Sequence, residues 1–175
     1  AIARSITACK CSTLSSMEFT RLSPRIRTLL ACTFIATATF SVYWQSLGNG
    51  FVVWDDDILV YKNPLVQHFS FYAVWAVFTS YDPELYIPLT FLTYQIEHLL
   101  FGLHPTVYHT TNLLLHTGSA ILLFFLLQRW KLSRGVAFVL ALLFAIHPMN
   151  SEAVLWVSAR KDTLSSFLFL ATLLS

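Results

Sequence analysis

The feature that most constrains this chain is the length of its apolar runs, at residues 28–47, 107–128, 135–148 and 162–175. A helix needs about 20 apolar residues to cross the roughly 30 Å hydrocarbon core of a bilayer. Hydrophobic residues make up 56% of the chain and charged residues 11%, against about 45–50% and about 25% in soluble domains. The sequence therefore predicts an all-α, polytopic integral membrane protein with about four transmembrane helices. The net charge of +2 is too small to indicate nucleic-acid binding.

The two ends of the chain set the expected domain boundaries. Residues 1–27 are interpreted as an N-terminal cytoplasmic leader, with Met17 as the natural start, and residues 28–175 as the membrane domain. A cleaved signal peptide is the alternative to a retained anchor at 28–47, but the long apolar run and its basic flank favour the anchor. Because the run at 162–175 stops within a span, we expect the chain to be the N-terminal fragment of a longer protein.

Residues 48–106 are expected to form a first external loop that contains interfacial helices. The segment 68–78 is aromatic and apolar but too short to cross, which is typical of a helix lying in the membrane interface. The segment 86–105 is apolar but carries Glu97 and His98. It is therefore expected at or beside the membrane surface.

Basic residues indicate the orientation. They flank the first run and fill the short segment between the second and third runs: Arg21, Arg25, Arg27, Arg129, Lys131 and Arg134. The positive-inside rule assigns both segments to the cytoplasm. With four crossings, the acids of the first loop (Asp55–Asp57, Asp82, Glu84) and the turn 147–162 then share the external face.

Three consecutive acids, Asp55, Asp56 and Asp57, follow the interface-favouring Trp54. They are explained either as a solvated loop that caps a short helix or as a catalytic carboxylate or metal site above the bilayer. Consecutive side chains point in different directions, so at most two of the three can serve one centre.

The turn 147–162 contains the second group of candidates. Glu152 lies near the start of a helix, where the helix dipole favours an acid. Arg160 and Lys161 either anchor the chain at the interface and form a salt bridge, or bind a phosphate, for which arginine is geometrically suited. On the second run, His109, Asn112 and His116 share one face. We favour interhelical hydrogen bonds over a metal site there, because the two histidines are about 10 Å apart along a helix.

Three blocks carry a family resemblance: "FVVWDDDILVYKNP", "YIPLTFLTYQIEHLLFGLHPTVYHTTNLLLH" and "LLFAIHPMNSEAVLWVSARKD". In order and spacing they resemble the N-terminal part of GT-C fold membrane glycosyltransferases. The chain is most similar to the transmembrane O-mannosyltransferases with C-terminal tetratricopeptide repeats, and to their bacterial relatives. The resemblance covers residues 51–175.

The resemblance implies transfer of a sugar, expected to be mannose, from a polyprenyl-phosphate or dolichyl-phosphate donor to a protein Ser/Thr or other hydroxyl. The reaction is expected on the luminal or periplasmic side. The family's catalytic acid falls on Asp55 or Asp56, while His147, Glu152, Arg160 and Lys161 are the implied substrate-binding residues. A divalent metal is compatible with this chemistry, but no metal ligands are assigned.

The same resemblance implies a multi-pass protein of the endoplasmic reticulum membrane, or of the inner membrane in a bacterium. One departure stands out: Ile87 replaces the arginine expected in an "RPL" motif. A fragment of this length is expected to be inactive alone. The alternatives to an enzyme are a non-enzymatic membrane anchor of a repeat-type interaction protein and a transporter subunit.

Overall fold

The computed structural model describes residues 23–81 and 85–175. The leader up to residue 22, including Met17 and Arg21, and the acids Asp82 and Glu84 lie outside the described residues, so the expectations placed on them stay predictions. Helices and their connections make up the whole described part, which contains no strand. The all-α prediction is confirmed for these residues.

Eight α-helices follow one another along the described chain. They are α1 Pro24–Tyr43, α2 Pro64–Gln67, α3 Phe71–Thr79, α4 Pro88–Phe101, α5 Pro105–Arg129, α6 Arg134–Ile146, α7 Ser151–Leu155 and α8 Arg160–Leu174. Short 3-10 turns occupy Trp44–Gly48, Pro148–Asn150 and Val157–Ala159, and a single π-helical turn occupies Asp57–Tyr61.

Two helices are long and apolar enough to cross a membrane: Pro24–Gly48, which is α1 with its 3-10 extension, and α5. A third span exists if α6 and the segment Pro148–Leu155 count together, although they are bent by 47° at Pro148. The described chain is thus that of a membrane protein with two or three candidate spans. The expected total of about four, which needs the 15-residue α8, stays a prediction.

Helix α5 is the centre of the bundle and packs against α1, α6 and α8. At one end of the bundle, Arg134 Nη1 donates to the carbonyl of Pro24 at 3.3 Å, and Arg129 donates to the carbonyl of Leu174. At the other end, Arg160 donates to the carbonyl of Tyr108. Helix α8 therefore runs parallel to α5, from the Asp-containing loop toward the arginine-rich end.

Small residues allow close packing of α6. Ala137, Ala141 and Ala145 recur every four residues and are completely buried, in a cluster with Ile35 of α1 and Phe124 of α5. Small side chains on one stripe of a helix let the helix backbones approach closely. In a bilayer, where apolar side chains gain little by leaving lipid, this close packing is a main source of helix association.

The bend at Pro148 leaves helix carbonyls without their usual donors, and neighbouring side chains replace those donors. Pro148 has no N–H for the carbonyl of Phe144, which accepts instead from Asn150 Nδ2 at 2.7 Å. The next carbonyl, of Ala145, lies 2.9 Å from His116 Nε2 on α5. Backbone groups in a membrane must be satisfied internally, so the break is stable because these side chains are present.

The loop before α5 has its own small core. Residues from the π-helical turn, α2, α3, α4, the start of α5 and the Val157–Ala159 turn meet there: Leu59, Val60, Val66, Val77, Phe91, Tyr94, Tyr108 and Val157. Helix α3 buries Ala73, Ala76 and Val77 on one side and exposes Phe71, Tyr72 and Trp75 on the other. Its aromatic outer face suits the predicted interfacial position, which stays a prediction.

Replacement of Gly118 by leucine tests the packing of α5 against α8. A Cβ at Gly118 would lie 2.8 Å from Cε2 of Phe167, so the ring must move or the helices must separate. We expect a loss of about 1–3 kcal/mol, the usual cost of overpacking, measured as a lower thermal unfolding temperature in detergent. Gly135→Leu is the matched control, since a Cβ there meets nothing within 4 Å. Equal unfolding temperatures for the two variants would contradict this packing.

Candidate functional site

Asp56 ties the first loop to the turn between α7 and α8. Its carboxylate is completely buried. It accepts from the backbone N–H groups of Val52 and Ser158, both at 2.9 Å, and from the Ser158 hydroxyl. Two of these three bonds join residues 102 positions apart, so Asp56 fixes the aspartate loop against the Val157–Ala159 turn. Its carboxylate is not accessible to an acceptor hydroxyl in this structure.

The two neighbouring acids have different surroundings. Asp57 pairs with Lys62 at 3.0 Å on the surface, and this hydrogen bond raises the pKa of Lys62. Asp55 is partly exposed and makes no hydrogen bond or ion pair with the part of the chain that the structure describes. Among the three acids, Asp55 is therefore the one whose carboxylate is available to a substrate.

Arg160 is the largest fully buried side chain of the described chain. Its guanidinium binds Glu97 Oε2 at 2.6 Å, Thr93 Oγ1 at 3.1 Å, Asn112 Oδ1 at 2.9 Å and the Tyr108 carbonyl at 2.8 Å. Four of its five N–H groups are thereby used. The structure joins α4, α5 and α8 through this one cation and does not bring Arg160 to a surface where a phosphate could contact it.

Two tyrosine rings enclose this cation. The guanidinium carbon lies 4.5 Å from the ring centre of Tyr94 and 5.5 Å from that of Tyr108. Burial raises the pKa of the Tyr94 phenol, which keeps it neutral and able to donate to the Val157 carbonyl at 2.8 Å. Tyr94 thus connects the cation to the turn that also binds Asp56.

Lys161, the next residue, has a different environment. Its ammonium Nζ donates to the Ser158 carbonyl at 3.4 Å, so it lies beside the residue that Asp56 holds. Lys161 also lines a cleft of about 250 Å³ between α4 and α8. The structure therefore brings Asp55, Asp56 and Lys161 to one end of the bundle.

His147 and Glu152 lie on the outer side of the bend. His147 is exposed; its Nδ1 accepts from the Met149 N–H at 3.2 Å, and its carbonyl accepts from Tyr43 Oη at 3.1 Å. Glu152 is exposed in the first turn of α7. Within the described residues, no hydrogen bond joins either side chain to Asp55 or Asp56, and their assignment to substrate stays a prediction.

Polar side chains on one face of α5 form hydrogen bonds with backbone carbonyls near the end of α6 and in the bent segment that follows it. Asn112 Nδ2 donates to the Trp156 carbonyl at 2.8 Å, while its Oδ1 accepts from Arg160. His116 binds the Ala145 carbonyl, and His109 is buried on the same face. The interhelical hydrogen bonds that the spacing indicated are present for Asn112 and His116. Among residues 23–81 and 85–175, no three His, Cys, Asp or Glu side chains are arranged to hold a metal ion.

Sequence reasoning missed three members of this network: Ser158, Thr93 and the role of Glu97. A single acid inside an apolar helix needs a cation, and Arg160 is a candidate cation at a membrane entry, so the Glu97–Arg160 pair could have been proposed. Ser158 and Thr93 give no such signal, because hydroxyl residues are common in membrane helices.

Removal of the buried cation tests whether the network holds the fold together. We expect Arg160→Met to destabilise the protein by about 3–5 kcal/mol, because it leaves Glu97 buried and unpaired. Thermal unfolding of the purified full-length protein measures the loss. Lys161→Met is the matched control and is expected to unfold near the wild-type temperature, and Arg160→Met with Glu97→Leu is expected to recover part of the loss. An Arg160→Met protein as stable as the control would contradict this role.

Comparison with known proteins identifies relatives over most of the chain. The chain is 33% identical to protein O-mannosyl-transferase TMTC1 of Homo sapiens over 83% of its length, 35% identical to TMTC3 of Mus musculus over 82% and 34% identical to Tmtc3 of Drosophila melanogaster over 85%. It spans only 16–19% of the length of these relatives. No family model matches the chain, and no solved structure matches it. Over most of its length the chain is therefore homologous to the TMTC protein O-mannosyl-transferases, the group that its three sequence blocks resemble.

Proposed function

We propose that this chain supplies the catalytic loop of a protein O-mannosyltransferase of GT-C type. In this proposal, the whole protein transfers mannose from a polyprenyl-phosphate or dolichyl-phosphate carrier to a Ser or Thr hydroxyl of an acceptor protein. The observation that carries it is the contact between Asp56 and Ser158. This contact holds Asp55, whose carboxylate has no partner among the described residues, and Lys161, whose ammonium makes a 3.4 Å hydrogen bond to the Ser158 carbonyl, at the same end of the helix bundle. The names of the TMTC relatives support the transferred sugar and the protein acceptor.

The proposed chemistry needs a base and a cation. Asp55 takes the proton from the acceptor hydroxyl as its oxygen attacks the anomeric carbon of the sugar. The bond between that carbon and the phosphate oxygen breaks, and the carrier phosphate leaves with the bonding electron pair. Lys161 stabilises the charge on the leaving phosphate. Asp56 and Arg160 act as positioning residues in this scheme, because both are buried and their charged groups bind other protein groups.

The cleft between α4 and α8 supports a lipid-linked donor. Lys161, Leu164 and Leu168 line it and follow the spacing i, i+3 and i+7, which places them on one face of α8. An ammonium thus lies at the loop end of an apolar path that continues along α8. Such a path matches a phosphate attached to a hydrocarbon chain. Ile87, at the position where the family is expected to have arginine, lines the same cleft, so Lys161 is the cation that the described residues contribute there.

The proposed location is a multi-pass membrane protein of the endoplasmic reticulum, or of the inner membrane in a bacterium, with the Asp55 loop on the luminal or periplasmic side. This orientation rests on the cytoplasmic assignment of Arg25, Arg27, Arg129, Lys131 and Arg134. The opposite end of the described bundle carries Asp55, Asp56, Asp57, Glu97 and Asp162.

Substitution of each aspartate in the full-length protein tests the chemistry. We expect Asp55→Asn to lower the mannose transfer rate by about 10²–10⁴, the usual contribution of general acid–base catalysis, with unchanged thermal unfolding. Asp57→Asn is the matched control and is expected to retain activity, because Asp57 pairs only with the exposed Lys62. Asp56→Asn is expected to lose both activity and stability. Near-normal transfer by Asp55→Asn would remove the catalytic assignment and favour a non-enzymatic anchor.

Cysteine labelling in intact membranes tests the orientation. In a full-length protein whose Cys9, Cys11 and Cys32 are replaced by serine, Asn49→Cys is expected to react with a membrane-impermeant thiol reagent only from the luminal or periplasmic side. Ser133→Cys is expected to react only from the cytoplasm, because it lies at the opposite end of the bundle. Labelling from the reverse sides would overturn the proposed orientation.

A further inference from the structure

Two clefts meet at Arg134, at the end of the bundle where α1 and α6 begin. One is about 420 Å³ and is lined by Arg25, Arg134, Leu29 and Phe125, among others. The second is about 500 Å³ and is lined by Arg27, Arg134, Phe34 and Phe138, among others. Each cleft has arginines in the first turns of α1 and α6 and apolar walls deeper in the bundle. The proposed sugar transfer uses none of these residues.

This end of the bundle carries a concentrated positive charge. It gathers Arg25, Arg27, Arg129, Lys131 and Arg134, and neither residues 23–54 nor residues 98–151 contain an Asp or Glu. The N-termini of α1 and α6 lie together here, since Arg134 contacts the Pro24 carbonyl.

Arg134 is placed to contact a ligand that enters between the clefts. Its Nη1 binds the Pro24 carbonyl at 3.3 Å, but its Nε is buried without a hydrogen-bond partner. A buried N–H of a charged group that lacks an acceptor is costly. Arg25, across the first cleft, is exposed and makes no ion pair with the described residues. A guanidinium stays charged at all accessible pH values and binds phosphate through paired N–H groups.

We propose that an anionic phospholipid binds at this end of the bundle, with its phosphate between Arg25 and Arg134 and its two acyl chains in the two clefts. The arginines account for the phosphate, and the two separate apolar clefts, which share Arg134, account for two hydrocarbon chains. A free phosphate would use the arginines but leave the apolar walls uncovered. The binding is independent of the sugar transfer proposed above, because the sites lie at opposite ends of the bundle.

Lipid binding to the purified full-length protein tests this site. Phosphatidylglycerol and phosphatidylcholine are added to the protein in neutral detergent, and the retained lipid is counted by native mass spectrometry. Wild-type protein is expected to retain phosphatidylglycerol in clear preference to phosphatidylcholine and to unfold at a higher temperature with it. Arg25→Gln is expected to lower phosphatidylglycerol retention about fivefold, which is the factor expected for the loss of one basic residue near anionic lipid. The double variant, Arg25→Gln with Arg134→Gln, is expected to lower the retention further.

Lys131→Gln is the matched control, because it removes one positive charge at the same end of the bundle and Lys131 lines neither cleft. It is expected to bind phosphatidylglycerol as the wild type does. If the double variant does not fold, Arg25→Gln decides alone, since Arg25 is exposed. Equal retention of the two lipids, an equal loss in Lys131→Gln, or the same stabilisation by inorganic phosphate would overturn the proposal.

Discussion

The guanidinium of Arg160 is the interaction on which the rest of this structure depends. It is the only place in the described chain where α4, α5 and α8 meet through one charged group, and its bonds to Glu97, Thr93, Asn112 and Tyr108 leave one of its N–H groups unused. A buried cation is stable only when its partners are arranged around it. Its burial therefore fixes the position at which α8 leaves the loop region, and that position sets the place of Lys161 and Ser158.

Asp56 fixes the position of the first loop, as Arg160 fixes the start of α8. The segment between α1 and α4 contains only short helices and turns, and these need a further contact to hold the aspartates in one place. The bonds from Asp56 to Val52 and Ser158 fix the loop to the same turn that Arg160 anchors. One acid of the triplet is thereby used for structure, one forms a surface pair, and Asp55 has no partner among the described residues. The most deeply buried acid is for this reason the weakest candidate for a base.

The sequence predicted the membrane class and the helical runs well, because long apolar runs have few alternatives in a folded protein. It placed Asp56 and Lys161 at one end of the bundle, as found. It left two interpretations of Arg160, interfacial anchoring with a salt bridge or phosphate binding, since an arginine at a membrane entry looks the same in sequence whether it faces a phosphate or a buried Glu97. The distinction depends on side-chain packing among three helices, which residue spacing does not encode. His147 and Glu152 show the same limit: their position in the bend was predictable, but which groups they face was not.

The bend at Pro148 has a consequence for how the protein is made. The carbonyls of Ala145, His147, Trp156 and Val157 are bonded by side chains from His116, Tyr43, Asn112 and Tyr94. All four donors precede the bend in the sequence, and a ribosome delivers the chain from its N-terminus. When this interrupted segment is synthesised, the side chains that donate to its exposed carbonyls have already been made. No residue synthesised after the bend is therefore needed to bond these four carbonyls.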